Sequence, residues 1–433
     1  MPGCGTLLTF AYEQLAGAPT HVVDVHQVVT NPRDAGLTIC LHGGQIHFHE
    51  GHYKHAWHGS ADRAYNAIQV MHQWLSRTQY NGTRCFEHSG RDDQRILSRG
   101  RGGSQDLPVL LWHWCYGDRE GDSRCRRPSS LGGVGDGSGL GFLWPEHDYE
   151  GTIGQHQPPT REMRANIARI ARPWKDRSEE RLRYRGSAFP SARLAKLMRC
   201  SMYDPLGSDF FTRRTDFRTI DWRSKDVAQA ESSFNWSRVG LEQWSAHDAL
   251  PADMQMEQNA RYKHLLWLPG AGEWSSSLNR YMAFGATLFM PQDIGRSHSL
   301  NSLMLLERCG PCVVPFNYSR FESRMCGSLR NAFEAHQTDA EEIAAQLTRF
   351  VAQQLAPDCV DRYMSAILEG LPQTVVNIEA LNLTASSGAC VGVNCSFFEI
   401  FDCARYFRRR FKKPSTGAKL SAARWHGCKL SSV

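Results

Sequence analysis

"YKHLLWLPGAGEWSSSLNRYMAFGATLFM", residues 262–290, holds the grammar of the fold in one stretch. Tyr262 to Leu268 is an apolar run of strand length, and "PGAGEWSSS" is a glycine- and serine-rich turn. "LNRYMAFG" then has helical character, "ATLFM" (286–290) returns to strand, and "VVPF" (313–316) offers another. A strand, a turn, a helix and a strand in that order form a crossover unit whose strands lie parallel, which argues for an α/β fold.

Working outward, the same alternation recurs. "TREMRANIARIARPW" (160–174) sets Met163, Ile167, Ile170 and Trp174 on one helical face, and "EERLRYRGS" (179–187) is a short strand entering a glycine turn. "TDAEEIAAQLTRFVAQQL" (338–355) opens with a capping box, Thr338 and Glu341, and presents Ile343, Leu347, Val351 and Leu355 along one helix face. Nearer the start, "LTICLHGGQIHFH" (37–49) reads as two strands around Gly43-Gly44, a dipeptide that tolerates positive φ. "ADRAYNAIQVMHQWL" (61–75) spaces Ala64, Ile68, Met71 and Leu75 as an amphipathic helix, and "DLPVLLWHWCY" (106–116) has the continuous apolar character of a buried parallel strand. The Gly/Ser-rich segment 128–141 satisfies neither G-x-G-x-x-G nor a P-loop and is read as a flexible insertion.

A chain of 433 residues exceeds the roughly 250–300 that one core supports, so two domains are expected. Residues 37–160 would form an N-terminal Rossmann-like domain and 161–368 a C-terminal one. Residues 1–36 form a poorly defined lead-in, and 369–433 an extension with the basic run "RYFRRRFKK" (405–413). The composition is 41% hydrophobic and 22% charged, with no run near the ~20 apolar residues of a membrane span. A formal charge of +6 suits anionic substrates, and no nucleic-acid module is recognisable. The basic run reads as a solvated tail, with an acidic partner or a membrane surface as its alternative. Fourteen cysteines and sequons at Asn81, Asn235, Asn317, Asn382 and Asn394 lean towards an oxidising secretory compartment, although no signal peptide is visible.

Three patterns invite chemistry. "CGPC" (309–312) has dithiol spacing, but it runs into a strand-like stretch rather than opening a helix, so a structural pair or free thiols compete with redox catalysis. His47, His49, His52, His55 and His58 are dense enough to attract zinc but do not make H-E-x-x-H, and a polar surface loop is the alternative. No Asp-x-Asp occurs in the chain, so an enzyme of sugar nucleotides would neutralise its diphosphate with cationic side chains and backbone N–H groups. "RYRGSAFPSAR" (183–193) offers those: Arg185 closes a strand, Gly186 allows close approach, Ser187 brings a hydroxyl, and Arg193 falls in the first turn after Pro190-Ser191. Alone, it could equally be a surface strand end.

In context, "WKDRSEERLRYRGSAFPSAR" resembles the Arg-Gly-Ser segment of the protein O-glucosyltransferase and capsule-associated (CAP10-like) glycosyltransferase family, in which a second arginine follows the serine by six residues. "ARYKHLLWLPGAGEWSSSLNRYMAFGATLFM" is similar to that family's Lys-Tyr strand, Gly turn and Trp-Ser-Ser-Arg-Leu helix. "PCVVPF" stands where the family has His-Tyr-Val-Pro, "DLPVLLWHWCYGD" where it has a Leu-Pro-Asp strand, and "GFLWPE" where it has an aromatic Phe-Trp segment.

The resemblance, over about residues 35–368, implies a GT-B architecture: two Rossmann-like domains with parallel sheets facing a cleft. It implies transfer of a sugar, glucose or xylose, from a UDP-sugar to a hydroxyl of a protein or glycan, with inversion favoured over retention, and with no metal and no further cofactor. It puts the general base at Asp118, with Asp122 the near alternative. It assigns the donor to Arg185, Gly186, Ser187 and Arg193 on one edge and to Gly272, Ser275, Ser277 and Arg280 on the other. It also implies residence in the endoplasmic reticulum or Golgi lumen. Departures stand beside it: Ser277 replaces the expected arginine, with Arg280 one turn on, and the family's Gly-Ser is Gly285-Ala286. A catalytically silent binding protein of the same fold is therefore the second reading, and a CGPC oxidoreductase the third.

Overall fold

The computed structural model describes residues 3–16, 22–25, 36–48, 71–72, 74–89, 107–111, 113–114, 141–145, 160–186, 200, 210, 214–219, 252–268, 277–292, 298–317, 322–381 and 383–385. The fold is α/β, with one all-parallel sheet and one mixed sheet whose last two pairings are parallel. The chain divides into two compact units, one of Met1–Leu7, His113–Arg126 and Glu162–Val360, the other of Leu8–Trp112, Arg127–Arg161 and Asp361–Val433.

The first unit is built on a five-stranded sheet in which every pairing is parallel. Its spatial order is Val314–Phe316, Thr287–Pro291, Tyr262–Leu266, Glu179–Gly186, Thr215–Thr219. The strands are short and apolar: all five residues of Thr287–Pro291 are buried, as a parallel strand covered on both faces requires. On one face Leu182, Leu266, Phe289, Val314 and Phe316 pack with Met325, Leu329 and Phe333 of the helix Glu322–Ala335. A disulfide from Cys200 to Cys326 ties a second segment onto that same core.

On strand Glu179–Gly186 the parity reverses at Arg183, which is buried beside the helix Ala252–Asn259. Its guanidinium donates to Gln258 Oε1 at 3.0 Å and to the Tyr262 hydroxyl at 3.3 Å, and lies 4.8 Å from the Tyr262 ring centre. Arg177 precedes this strand and is also buried. It donates to the carbonyls of Arg172 at 3.1 Å, of Tyr262 at 2.8 Å and of Phe284, fastening the starts of two neighbouring strands to the turn before a third. Burial, with Arg172 adding repulsion, lowers its pKa to about 10, so it remains a cation at neutral pH.

Several elements differ from the sequence expectations, among them the run 106–116, which gives two short strands, Val109–Leu111 and His113–Trp114, in different sheets. The helix at 338–355 runs Ala340–Gln354 and Asp339 takes the cap position with no side-chain cap bond, so Thr338 and Glu341 form no capping box. The Asp339 carboxylate is engaged by His336 Nδ1 at 2.9 Å instead. The helix after the glycine turn is only Ser277–Tyr281, and it gives way to turns ending at Gly285, whose φ of +65° favours glycine. The strand at 262–268 stops at Leu266.

The second unit carries a six-stranded sheet in the order Thr384–Ala385, Gln45–Phe48, Gly36–His42, Arg84–Ser89, Val109–Leu111, Gly141–Leu143. The first three pairings are antiparallel and the last two parallel. The antiparallel half follows from the expected hairpin, since Gly43 and Gly44 sit at φ +58° and +73° and bring His42 opposite Gln45. Cys40 and Cys85 are directly opposed across the Gly36–His42 and Arg84–Ser89 pair and are disulfide-bonded in the core. Residues 71–72 and 74–78 are helical and bury Met71, Trp74 and Leu75; Ala64 and Ile68 lie outside the described residues. Tyr363, fully buried, donates to the Leu143 carbonyl and accepts from Gln14 Nε2, both at 2.7 Å. The insertion 128–140 and the basic run 405–413 lie outside the described residues. No helix among the described residues is long and apolar enough to cross a membrane.

One core group gives the fold a pH signature. His264 is 2% exposed and meets the rings of Trp174, Phe289 and Phe333 edge-on, with its Nδ1 finding no hydrogen-bond partner. Burial lowers its pKa from 6.5 to about 4, Glu180 opposing and Lys263 and Arg214 adding to the shift. Between those values the unfolded chain binds a proton that the folded one refuses, so stability falls as pH falls through that window. The loss reaches up to about 3 kcal/mol. Melting temperatures measured from pH 7 to pH 4 should show this slope, and His264→Phe should flatten it.

Candidate functional site

In the five-stranded sheet the chain leaves Glu179–Gly186 towards one edge, forms Thr215–Thr219, and then crosses back to form Tyr262–Leu266 on the opposite side. The winding direction therefore reverses between Glu179–Gly186 and Tyr262–Leu266. In open parallel sheets this switch point leaves a crevice outside the carboxyl ends of the two strands, because the connections from those ends diverge. The strand Glu179–Gly186 terminates in Arg185-Gly186, register partners of Arg218 and Thr219 on the next strand. The stretch singled out by its arginines thus begins at the carboxyl edge of the strand that bounds the switch point. The strand Tyr262–Leu266 is followed by the buried pair Trp267 and Leu268, and residues 269–276 lie outside the described residues.

Of the sequence-assigned residues, Arg185 and Gly186 close their strand, and Ser277 and Arg280 are the first and fourth residues of the helix Ser277–Tyr281. Both of the latter are half-buried. Asp118, Asp122, Ser187, Arg193, Gly272 and Ser275 lie outside the described residues.

Sequence reasoning missed the polar interior next to that helix. Asn279, 1% exposed, accepts through Oδ1 from Asn301 Nδ2 at 2.6 Å and from Arg164 Nη2 at 3.2 Å. Arg164 also donates to the Leu355 carbonyl at 2.8 Å. Asn301 lies in the helix Leu300–Leu303, which Ser299 and Ser302 begin with a reciprocal capping box. The signal was present: an asparagine between Leu278 and Tyr281 shares the buried side of the helix with them.

The remaining motifs resolve differently. Cys309 and Cys312 are disulfide-bonded with their Cα atoms 5.6 Å apart, directly after the helical turns Leu300–Leu303 and Met304–Arg308. Gly310, at φ +68°, ends the helix as its left-handed cap. The pair thus sits at the carbonyl end of a helix, where the dipole disfavours a thiolate, the reverse of the helix N-terminus on which dithiol catalysis relies. His47 is in the Gln45–Phe48 strand with its ring 6.2 Å from His42, while His49, His52, His55 and His58 lie outside the described residues. Burial, then repulsion from His42, lowers the pKa of His47. Among the described residues no three His, Cys, Asp or Glu side chains gather as a metal site would need.

No protein-family model matches the chain, and no curated protein does. Among solved structures it is similar to an α,α-trehalose-phosphate synthase (UDP-forming) from Burkholderia vietnamiensis, at 11% identity and a TM-score of 0.35. That match takes in 56% of this chain and 53% of the synthase. A second, the α,α-trehalose 6-phosphate synthase of Burkholderia multivorans, gives 12% identity and a TM-score of 0.33 over 55% of this chain and 51% of the other. The chain thus spans about half the length of those synthases, and a likeness at this level carries no argument for function.

The placement of the dithiol pair is testable. Insulin reduction by the protein, with dithiothreitol as the reductant, should not exceed that of a Cys309→Ser/Cys312→Ser variant. A faster wild type would restore the redox reading.

Proposed function

We propose that the protein is a glycosyltransferase of GT-B type that moves a sugar from a UDP-sugar to a hydroxyl of a protein or glycan. The observation that carries this reading is the arrival of Arg185-Gly186 at the carboxyl edge of the switch point. An arginine followed by a glycine and a serine at that edge suits a diphosphate: the guanidinium pairs two oxygens at once, and glycine lets backbone N–H groups approach. In this reading Arg185, Ser187 and Arg193 hold the diphosphate and ribose, and Gly272, Ser275, Ser277 and Arg280 line the facing edge. The charge is neutralised without a metal, consistent with a chain that has no Asp-x-Asp.

Asp118 is the general base. Its carboxylate takes the proton of the acceptor hydroxyl as that oxygen bonds to the anomeric carbon, and the bond from that carbon to the UDP oxygen breaks, so the sugar leaves inverted. Glucose and xylose are the donors of choice on the family resemblance. The second reading, a silent binding protein of this fold, draws on Ser277: a hydroxyl stands at the head of its helix where a cation was expected.

Wild-type protein should melt at a higher temperature with UDP and should release UDP from UDP-glucose or UDP-xylose. Asp118→Asn should cut release by roughly 100-fold or more while keeping the UDP-dependent shift, whereas Arg193→Ala should lose the shift. A wild type that neither releases UDP nor responds to it removes the enzyme reading; response without release favours the silent one.

We further propose residence in the lumen of the secretory pathway, supported by the disulfides Cys4–Cys359, Cys40–Cys85 and Cys200–Cys326. The sequon Asn81-Gly82-Thr83 is exposed at Asn81, on the approach to strand Arg84–Ser89. Protein isolated from its source should gain mobility on a gel after removal of N-glycans, and Asn81→Gln should take away one increment of that shift. An unmodified Asn81 peptide would count against this compartment.

A further inference from the structure

The helix Ser277–Tyr281 is five residues long. A helix of this length does not hold itself, since nucleation costs more than one turn of hydrogen bonds returns. Its direction and rotation are therefore imposed by what it buries: Leu278, Asn279 and Tyr281. Leu278 contributes apolar packing, which constrains rotation weakly. Asn279 is different, because its Oδ1 receives two donors from two directions, Arg164 Nη2 on the helix Thr160–Ile170 and Asn301 Nδ2 on the helix Leu300–Leu303. Both donors are themselves anchored. Arg164 is tied to the Leu355 carbonyl, and Asn301 sits on a helix that the Ser299–Ser302 capping box starts.

We infer that Asn279 is a positioning residue: it sets the rotation of the Ser277–Tyr281 helix and so the direction in which Ser277 and Arg280 are presented to the UDP diphosphate. This rests on the donor site proposed above. The argument is geometric. Ser277 and Arg280 are three residues apart on one helix, hence neighbours on its surface, and Asn279 lies between them in sequence on the buried side. A turn of the helix about its axis, with Oδ1 released, would carry both away together. The oxygen is the part that matters. An aspartate supplies an acceptor in the same place, and a leucine of similar size supplies none, leaving the Arg164 guanidinium without that acceptor.

The test is UDP affinity by calorimetry, together with the melting temperature without ligand, for wild type, Asn279→Leu, Asn279→Asp and Asn301→Ala. Both Asn279→Leu and Asn301→Ala should weaken UDP binding by about tenfold or more when measured at a temperature where each is folded, and Asn279→Asp should restore at least half of the lost binding free energy. A purely structural asparagine would lower the melting temperature and leave the dissociation constant of the folded protein as it was, and that result overturns the inference. Equal loss in the leucine and aspartate variants also overturns it. Should Asn279→Leu not fold, Asn301→Ala and Asn279→Asp decide alone. Wild-type protein that does not bind UDP overturns the donor-site reading itself, and with it this inference. Normal wild-type binding with insensitive variants overturns only the role of Asn279.

Discussion

Parallel pairing on both sides of the strand Glu179–Gly186 is the constraint on which the first unit depends. A parallel strand cannot be joined to its neighbour by a tight turn, so each connection has to leave the sheet, cross a face and return. With both neighbours parallel, one later in the chain than the other, the connections from this strand and from Tyr262–Leu266 must part. In open parallel sheets such a parting leaves room for a crevice at the carboxyl ends. The apolar character of the central strands follows from the same cause, because crossing segments cover both faces.

Apolar packing alone would leave such a sheet free to accept many small slides, and the polar groups in its interior remove that freedom. Arg177 fixes main-chain carbonyls at three places, and its burial is tolerated because each bond is charge-assisted. Arg183 joins its strand to the helix beside it through the Gln258 amide and to the neighbouring strand through the Tyr262 phenol. His264 takes the opposite course: it meets three aromatic rings and stays neutral rather than recruit a counter-charge. The unit therefore combines arginines that fix direction with a histidine that behaves as an apolar ring.

The α/β class was readable because its elements announce themselves locally. Apolar runs of four to seven residues end at glycine or proline, and the helix Thr160–Ile170 buries Met163 and Ile167 at helical spacing. The Gly43-Gly44 hairpin was equally plain, since a two-residue turn with positive φ leaves little choice of register. Neighbour order was not readable, because nothing in the residues of Thr215–Thr219 and Tyr262–Leu266 says that they stand on either side of Glu179–Gly186. The capping box failed because the helix starts one residue later than Thr338 would need, with Asp339 at the cap. At the site, Arg185-Gly186 could be found as a cation at a strand end. Asn279 could not be assigned a role, since its donors lie 115 and 22 residues away. The helix Gly5–Leu15 was missed although Leu7, Phe10 and Ala11 stand at helical spacing; only the burial of Gln14 beside them was hidden, because its partner Tyr363 is 349 residues away.

The disulfide between Cys4 and Cys359 spans a sequence separation of 355, so most of the polypeptide belongs to one covalent ring. A protease that cuts any single peptide bond between those cysteines opens the ring without dividing the molecule. The two ends of the break stay joined through sulfur, and the nicked species keeps its full mass until it is reduced. This makes redox state, rather than the integrity of any one peptide bond between those cysteines, the condition for remaining a single molecule.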